Sequence, residues 1–161
     1  MAQGEYRLAW AALAGGSGHE AAWALLARLY REETGEALPE TAVTALGKPY
    51  FPAGGLHFSL SHCRTHAFCC LSRHNIGIDA EDVQRQIPPA VGERFLSPGE
   101  KRRAAAAQDP AAALLRLWVL KEAYAKCTGQ GLGAYLRGTD FTPDDPRITT
   151  IDGCYVAVVE E

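Results

Sequence analysis

"WVLKEAYAKCTGQGL" (118–132) closes a long helical pattern and supplies the loop that stops it. Asp109-Pro110 opens that helix, which is expected to run to about Cys127, and Gly129 and Gly131 end it. At 3.6 residues per turn, Leu114, Trp118, Glu122 and Lys126 step along one side, each four after the last. Lys121 sits beside them, between Leu117 and Leu114 in projection. Taken alone, Glu122 and Lys126 read as an exposed i,i+4 ion pair worth a few tenths of a kcal/mol. The opposite side, with Val119, Leu120, Ala123 and Cys127, offers little polar surface, so the helix is expected to be largely buried. Charges on a buried helix need partners or a function.

"GIDAE" (77–81) supplies a partner. In a strand, Asp79 and Glu81 project from one face with Ala80 opposite, and two adjacent carboxylates repel unless a cation or a proton lies between them. With Glu122 they form an all-oxygen set of the kind that suits Mg²⁺, which keeps several waters and takes further ligands from substrate phosphates. "SLSH" (59–62) adds Ser61 and His62 at a strand end, and "GKP" (47–49) adds Lys48. Together with Lys121 and Lys126 these are donors for a phosphorylated ligand. Each residue alone has an ordinary reading, as a solvated strand-end carboxylate or a structural histidine. The combination carries the information.

A length of 161 residues fits one domain, or two small halves sharing a core. Apolar residues make up 47% and charged residues 22%, and a formal charge of -3 argues against a general nucleic-acid binder, so any basic site must be local. No apolar run approaches membrane-spanning length, and "MAQGEYRLAWAALAGG" (1–16) lacks the basic start and cleavage pattern of an export signal. A cytoplasmic protein with no membrane association is expected. Five cysteines, two adjacent and none in CxxC, indicate reduced thiols rather than a disulfide framework. "HCRTHAFCCLSRH" (62–74) holds zinc-type donors, but the spacing fits no standard finger and the apolar neighbours indicate a strand with buried thiols. A zinc module on His62, His66, Cys69 and Cys70 is the competing reading.

Residues 6–14 read as a first strand ended by Gly15-Gly16. Ser17 and Glu20, at capping-box spacing, open an amphipathic helix through Ala22, Leu25, Leu26, Leu29 and Tyr30 to Gly35. "TAVTAL" (41–46) has strand alternation, and strands follow at 56–62, 67–72 and 75–81. Pro88-Pro89 can open a short helix through Phe95, and Ser97-Pro98 with Glu100 caps another. "RITTIDGCYVAVVEE" (147–161) reads as two strands around an Asp-Gly turn.

"GKP" (47–49), "FSLSH" (58–62), "IGIDAE" (76–81), "ERFLSPGE" (93–100) and "WVLKEAYAKCTGQGL" (118–132), in this order and spacing, closely resemble the 4'-phosphopantetheinyl transferase family, in its larger two-half, surfactin-synthetase-activator type. The resemblance runs from about the first helix to the last strand. It implies an α/β (α+β) fold: a pseudo-two-fold pair of small antiparallel sheets, each packed with a long helix and meeting at the active cleft. A single domain over 1–161 is expected, with halves of roughly 1–74 and 75–161, acting as a monomer. The implied reaction is Mg²⁺-dependent transfer of the phosphopantetheine arm from coenzyme A to a serine of an acyl or peptidyl carrier protein, releasing 3',5'-ADP. Fatty-acid, polyketide or nonribosomal-peptide synthesis would be served.

Carried over by position, Asp79, Glu81 and Glu122 resemble the metal ligands, and Glu122 the general base. Lys126 resembles the residue that neutralises the pyrophosphate, with Lys121 as a helper. Lys48 and Pro49 resemble the adenine-side segment, and Ser61 and His62 the contacts to coenzyme A phosphates. Three departures stand out. Ser59 replaces a frequent Asn, Ala123 replaces a frequent Ser, and Glu20 stands where an arginine contacting coenzyme A is expected, which leaves Arg28 or Arg31 to replace it. A catalytically weak relative that only binds coenzyme A or a carrier protein is the alternative. Lys101, Arg102 and Arg103, with Phe95 and Leu96, are expected to form the carrier-docking surface.

Overall fold

In the computed structural model, which describes residues 5–131 and 138–161, the chain begins with β1 (Arg7–Ala12), α1 (Gly18–Thr34), β2 (Ala42–Val43), β3 (Pro49–Tyr50), β4 (His57–His62) and β5 (His66–Ser72). It continues with β6 (Ile76–Asp82), α2 (Pro89–Phe95), α3 (Pro98–Ala106), α4 (Pro110–Thr128), β7 (Ile148–Ile151) and β8 (Cys154–Glu160). Leu132, the last residue of the helix-and-loop stretch quoted first, lies outside the described residues.

Two three-stranded antiparallel sheets, ordered β1-β5-β4 and β6-β8-β7, form the centre. On β5, Ala67, Cys69 and Leu71 turn toward α1, where Leu25, Leu26 and Leu29 close one apolar cluster. Phe68 and Cys70 turn the other way, against Ile76, Ile78, Ala80, Val156 and Val158 of the second sheet. Ala157 and Val159 of that sheet face α4. The order is therefore helix, sheet, sheet, helix. It explains why every residue of β5 is buried: a strand covered on both faces reads as a continuous apolar run rather than an alternation. The expected pair of small sheets with a long helix each is what the structure contains. No helix among the described residues is long and apolar enough to cross a membrane.

Local signals set most boundaries. Asp109 caps α4 by accepting from the Ala112 N–H (3.0 Å), and Gly129 ends it in the left-handed region (φ 71°). Ser97 and Glu100 make a full capping box on α3, whereas Ser17 caps α1 by accepting from the Glu20 N–H. Asp152 and Gly153 both have positive φ (46° and 77°), the type I′ geometry that joins β7 and β8. The strand expected at 41–46 is only Ala42–Val43, paired with Pro49–Tyr50. At Thr44 the hydroxyl accepts from the Lys48 N–H (3.0 Å) and the chain doubles back through Gly47 (φ 90°), which stops the ladder.

Lys121 goes to a different place from the one expected. It is fully buried, and its ammonium donates to Glu100 Oε2 (2.7 Å) and to the Phe95 carbonyl (2.7 Å). Glu100 is also fully buried and accepts from the Ser97 and Phe141 N–H groups. Burial pulls the Lys121 pKa down, and the Glu100 carboxylate opposes that. Lys121→Met is expected to cost about 3–5 kcal/mol in chemical denaturation, because it strands the Glu100 charge, and the double change with Glu100→Gln should recover part of the loss.

Candidate active site

The two sheets meet along two strand edges, β4 and β6. In an antiparallel ladder alternate residues turn their peptide groups to the partner and away from it, so β6, paired among the described residues with β8 alone, leaves Ile78 and Ala80 facing outward. Side chains of β4 fill that role. Ser59 Oγ accepts from the Ile78 N–H (3.0 Å) and Ser61 Oγ from the Ala80 N–H (3.1 Å). Serine at 59, one of the departures noted above, is thus a stitch between the halves. Ser61, expected at coenzyme A phosphates, is likewise buried and committed to β6, since it also donates to Asp79 Oδ1 (3.1 Å).

Lys126 crosses the same seam from α4. Its ammonium donates to the Leu60 carbonyl (3.3 Å), the Ile78 carbonyl (3.0 Å) and Asp79 Oδ1 (2.8 Å). A cleft of about 290 Å³ opens beside it, lined by Lys48, Pro49, Leu60, Glu122 and Lys126 among others. An adjoining hollow shares Pro49, Leu60 and Lys126 and adds His19, Trp23, Ser61, His62 and Asp79. Lys48 donates to the Cys127 carbonyl at the end of α4 (2.5 Å), and burial lowers its pKa.

Both α4 and β6 must come close for this arrangement, and Gly77 permits it. A Cβ at that position would overlap the Ala123 carbonyl and the Cys127 nitrogen. Gly77 and Asp79 face α4 while Ile78 and Ala80 enter the inter-sheet cluster, the two-residue alternation read in the sequence.

The carboxylates are uneven in their partners. Asp79 Oδ1 is held by Lys126 and Ser61, but Asp79 Oδ2 is buried with no hydrogen-bond partner among the described residues. Burial first, and the Asp79 charge second, push Glu122 up to about 7. Glu81 is paired with Arg85, whose guanidinium also lies 5.8 Å from the Trp118 ring centre. The sequence reading did not single out Arg85. Its only signal was a four-residue spacing from Glu81, which implies contact in a helix but not at the turn where it occurs.

A buried carboxylate oxygen with no partner among the described residues, beside a second carboxylate of raised pKa, is a place where a cation or a proton would relieve repulsion, although Asp79, Glu81 and Glu122 do not together bring their ligand atoms within 4.8 Å of one another. In metal-free buffer the Glu122 proton belongs to the folded state. The stability it contributes is complete below the ordinary pKa of 4.5 and is lost as pH rises through about 7. That span amounts to no more than about 3 kcal/mol. Mg²⁺ is therefore expected to raise Tm more at about pH 8 than at about pH 5, and Glu122→Gln to flatten the metal-free pH dependence; thermal denaturation with and without chelator measures both.

Residues 75–154 match the 4'-phosphopantetheinyl transferase superfamily. The chain belongs to that superfamily. It is similar to 4'-phosphopantetheinyl transferase gsp of Aneurinibacillus migulanus, with 29% identity over 107 residues, 65% of this chain and 44% of that protein. The 4'-phosphopantetheinyl transferase of Bacillus subtilis is 33% identical over 93 residues (56% of this chain, 41% of that protein). That of Nostoc, named HetI, is 34% identical over 94 residues (53% and 40%). The chain thus spans less than half the length of these curated relatives. The matched region of the transferase superfamily holds β6 and α4, the two elements that carry Asp79, Glu81, Glu122 and Lys126.

The remaining expected positions divide between the site and other places. His62 is exposed, lines the hollow beside the cleft and packs over the first turn of α1, where a Cβ on Gly18 would lie 2.8 Å from its ring. Cys69 and Cys70 enter different clusters on opposite faces of β5, so they cannot join His62 and His66 around one zinc. In the expected docking surface Phe95 and Leu96 are buried in the core, because α2 packs on α4. There Lys101 is paired with Glu93, and Arg103 with Asp140 and the Phe141 carbonyl. Arg28 is paired with Glu32 on the exposed side of α1.

Proposed function

We propose that this protein transfers the 4'-phosphopantetheine group of coenzyme A to a serine hydroxyl of an acyl or peptidyl carrier protein and releases 3',5'-ADP. The observation that carries this reading is the convergence of Asp79, Lys126 and Glu122 at one seam beside an open cleft. The serine oxygen forms a bond to the phosphorus that bears the pantetheine arm. The phosphoanhydride bond to 3',5'-ADP breaks, and the bridging oxygen leaves with the nucleotide.

Glu122 lines the cleft and takes the serine proton, directly or through a water. Lys126 presents a fixed positive charge at the floor, where charge builds on the leaving diphosphate. Lys48 and Pro49 form the wall that receives the nucleotide end. Ser59 and Ser61 hold β4 to β6 and so fix the Asp79 carboxylate in place. Asp79, Glu81 and Glu122 would hold Mg²⁺, with Glu81 released from Arg85. When bound, the ion neutralises and orients the diphosphate. Since one chain builds both walls of the cleft, a monomer suffices.

On the α1 side the hollow presents His19 and Trp23 rather than an arginine, which favours a second reading, a relative that binds coenzyme A or a carrier protein with little turnover. Incubation with coenzyme A, Mg²⁺ and a panel of acyl and peptidyl carrier proteins, followed by intact-mass measurement, decides between them. The transferase adds one phosphopantetheine mass to at least one carrier, and the binder adds it to none.

A further inference from the structure

The β4–β5 turn of the first sheet and the β7–β8 turn of the second meet at the end of the inter-sheet layer, where Cys63, His66 and Cys154 bring their side chains together, all three buried. Cys63 Sγ lies 3.6 Å from Cys154 Sγ, and Cys154 Sγ lies 3.5 Å from His66 Nδ1. The three donor atoms lie within 4.8 Å of one another. A tetrahedral zinc ion with ordinary Zn–S and Zn–N bonds requires ~3.8 Å between two sulfurs and ~3.5 Å between sulfur and nitrogen. The spacing already present is close to both.

The far side of the imidazole is also arranged. His66 Nε2 lies 2.9 Å from Asp152 Oδ2, and since a carboxylate only accepts, Nε2 carries a proton, while Nδ1, the atom that zinc would take, faces Cys154 Sγ and the Thr65 hydroxyl. A carboxylate behind a histidine is the usual support of a metal-ligating imidazole. The Asp-Gly turn, with Asp152 at φ 46°, is what aims that carboxylate across to the other sheet. The Thr65 hydroxyl, 2.9 Å from His66 Nδ1, donates to Asp82 Oδ1 (2.5 Å). We propose that Cys63, His66 and Cys154 form a three-ligand zinc site, backed by Asp152 and completed by water, which joins the two halves of the molecule at a point separate from the transferase cleft.

Zinc binds cysteine as the thiolate, so its entry into this pocket releases the thiol protons. The test is zinc loading of the whole protein under a phosphine reductant, desalting and metal counting, together with the visible spectrum after Co²⁺ replacement. About one zinc per chain and a thiolate-ligated tetrahedral Co²⁺ spectrum are expected. Both should persist in Asp79→Asn, which removes a cleft carboxylate, and disappear in Cys63→Ser and Cys154→Ser. Asp152→Asn keeps a residue that tolerates positive φ and is expected to weaken zinc affinity about 10–100-fold without unfolding the protein. No retained zinc in the wild type, or affinity unchanged in both Cys63→Ser and Asp152→Asn, would overturn the site.

Discussion

Glu122→Gln is expected to lower kcat/KM for carrier-protein modification by roughly 10³-fold while leaving the metal-free protein as stable as wild type, or more so. The two effects have opposite sign for one physical reason. Glu122 is largely removed from water and sits in the field of Asp79, so its ionised form is costly to keep and its pKa rises to about 7. Glutamine has the same shape and no charge, so the fold is relieved of a repulsion. It also cannot take the proton of the attacking serine. A carboxylate kept only for structure would behave in the reverse way, losing stability with little change in rate. Steady-state kinetics on a responsive carrier and thermal denaturation of the same preparation measure both; retained activity, or a markedly lower Tm, would remove Glu122 from the chemistry.

Gly77→Ala should lower stability by about 3 kcal/mol or more. The atoms a Cβ would strike are the carbonyl of Ala123 and the backbone nitrogen of Cys127, with Cys127 Cα at 3.0 Å, so no side-chain rotation can make room. Helix α4 would have to move off β6. Because α4 carries Glu122 and Lys126 while β6 carries Asp79, even a folded variant is expected to lose transfer activity. Gly16→Ala, where nothing lies within 4 Å, is the control and should match wild type in both respects. Denaturant unfolding and the carrier-mass assay report the two outcomes separately. A Gly77→Ala protein of unchanged stability would show that the close approach of helix and strand is not needed.

Much of the fold was readable because it is written in short-range signals. The Asp109, Ser97 and Ser17 caps, the left-handed Gly129 and the Asp-Gly turn all lie within a few residues of the boundaries they set. The strand at 41–46 misled because its alternation is real but its length is cut by the Thr44 and Gly47 turn. Lys121 misled for another reason. Its neighbours in the chain are Leu120 and Glu122, one in the core and one in the cleft, and periodicity alone does not say to which of these a lysine between them belongs. The answer lies in Glu100, twenty-one positions away.

The sequence by itself determined the limits of α1 and α4, the start of α3, the face of β6 on which Asp79 lies, and the presence of Asp79, Glu81, Glu122, Lys121 and Lys126 within the stretch that matches a known superfamily. Only the tertiary structure decided which of those charges meet. It sent Lys126 to Asp79 and Lys121 to Glu100, gave Ser59 and Ser61 to the open edge of β6, and placed Cys63 and Cys154, 91 positions apart, side by side. Caps and alternation are fixed by bonds between near neighbours. A buried charge or an open strand edge is satisfied by whatever group the packing of distant elements brings within reach.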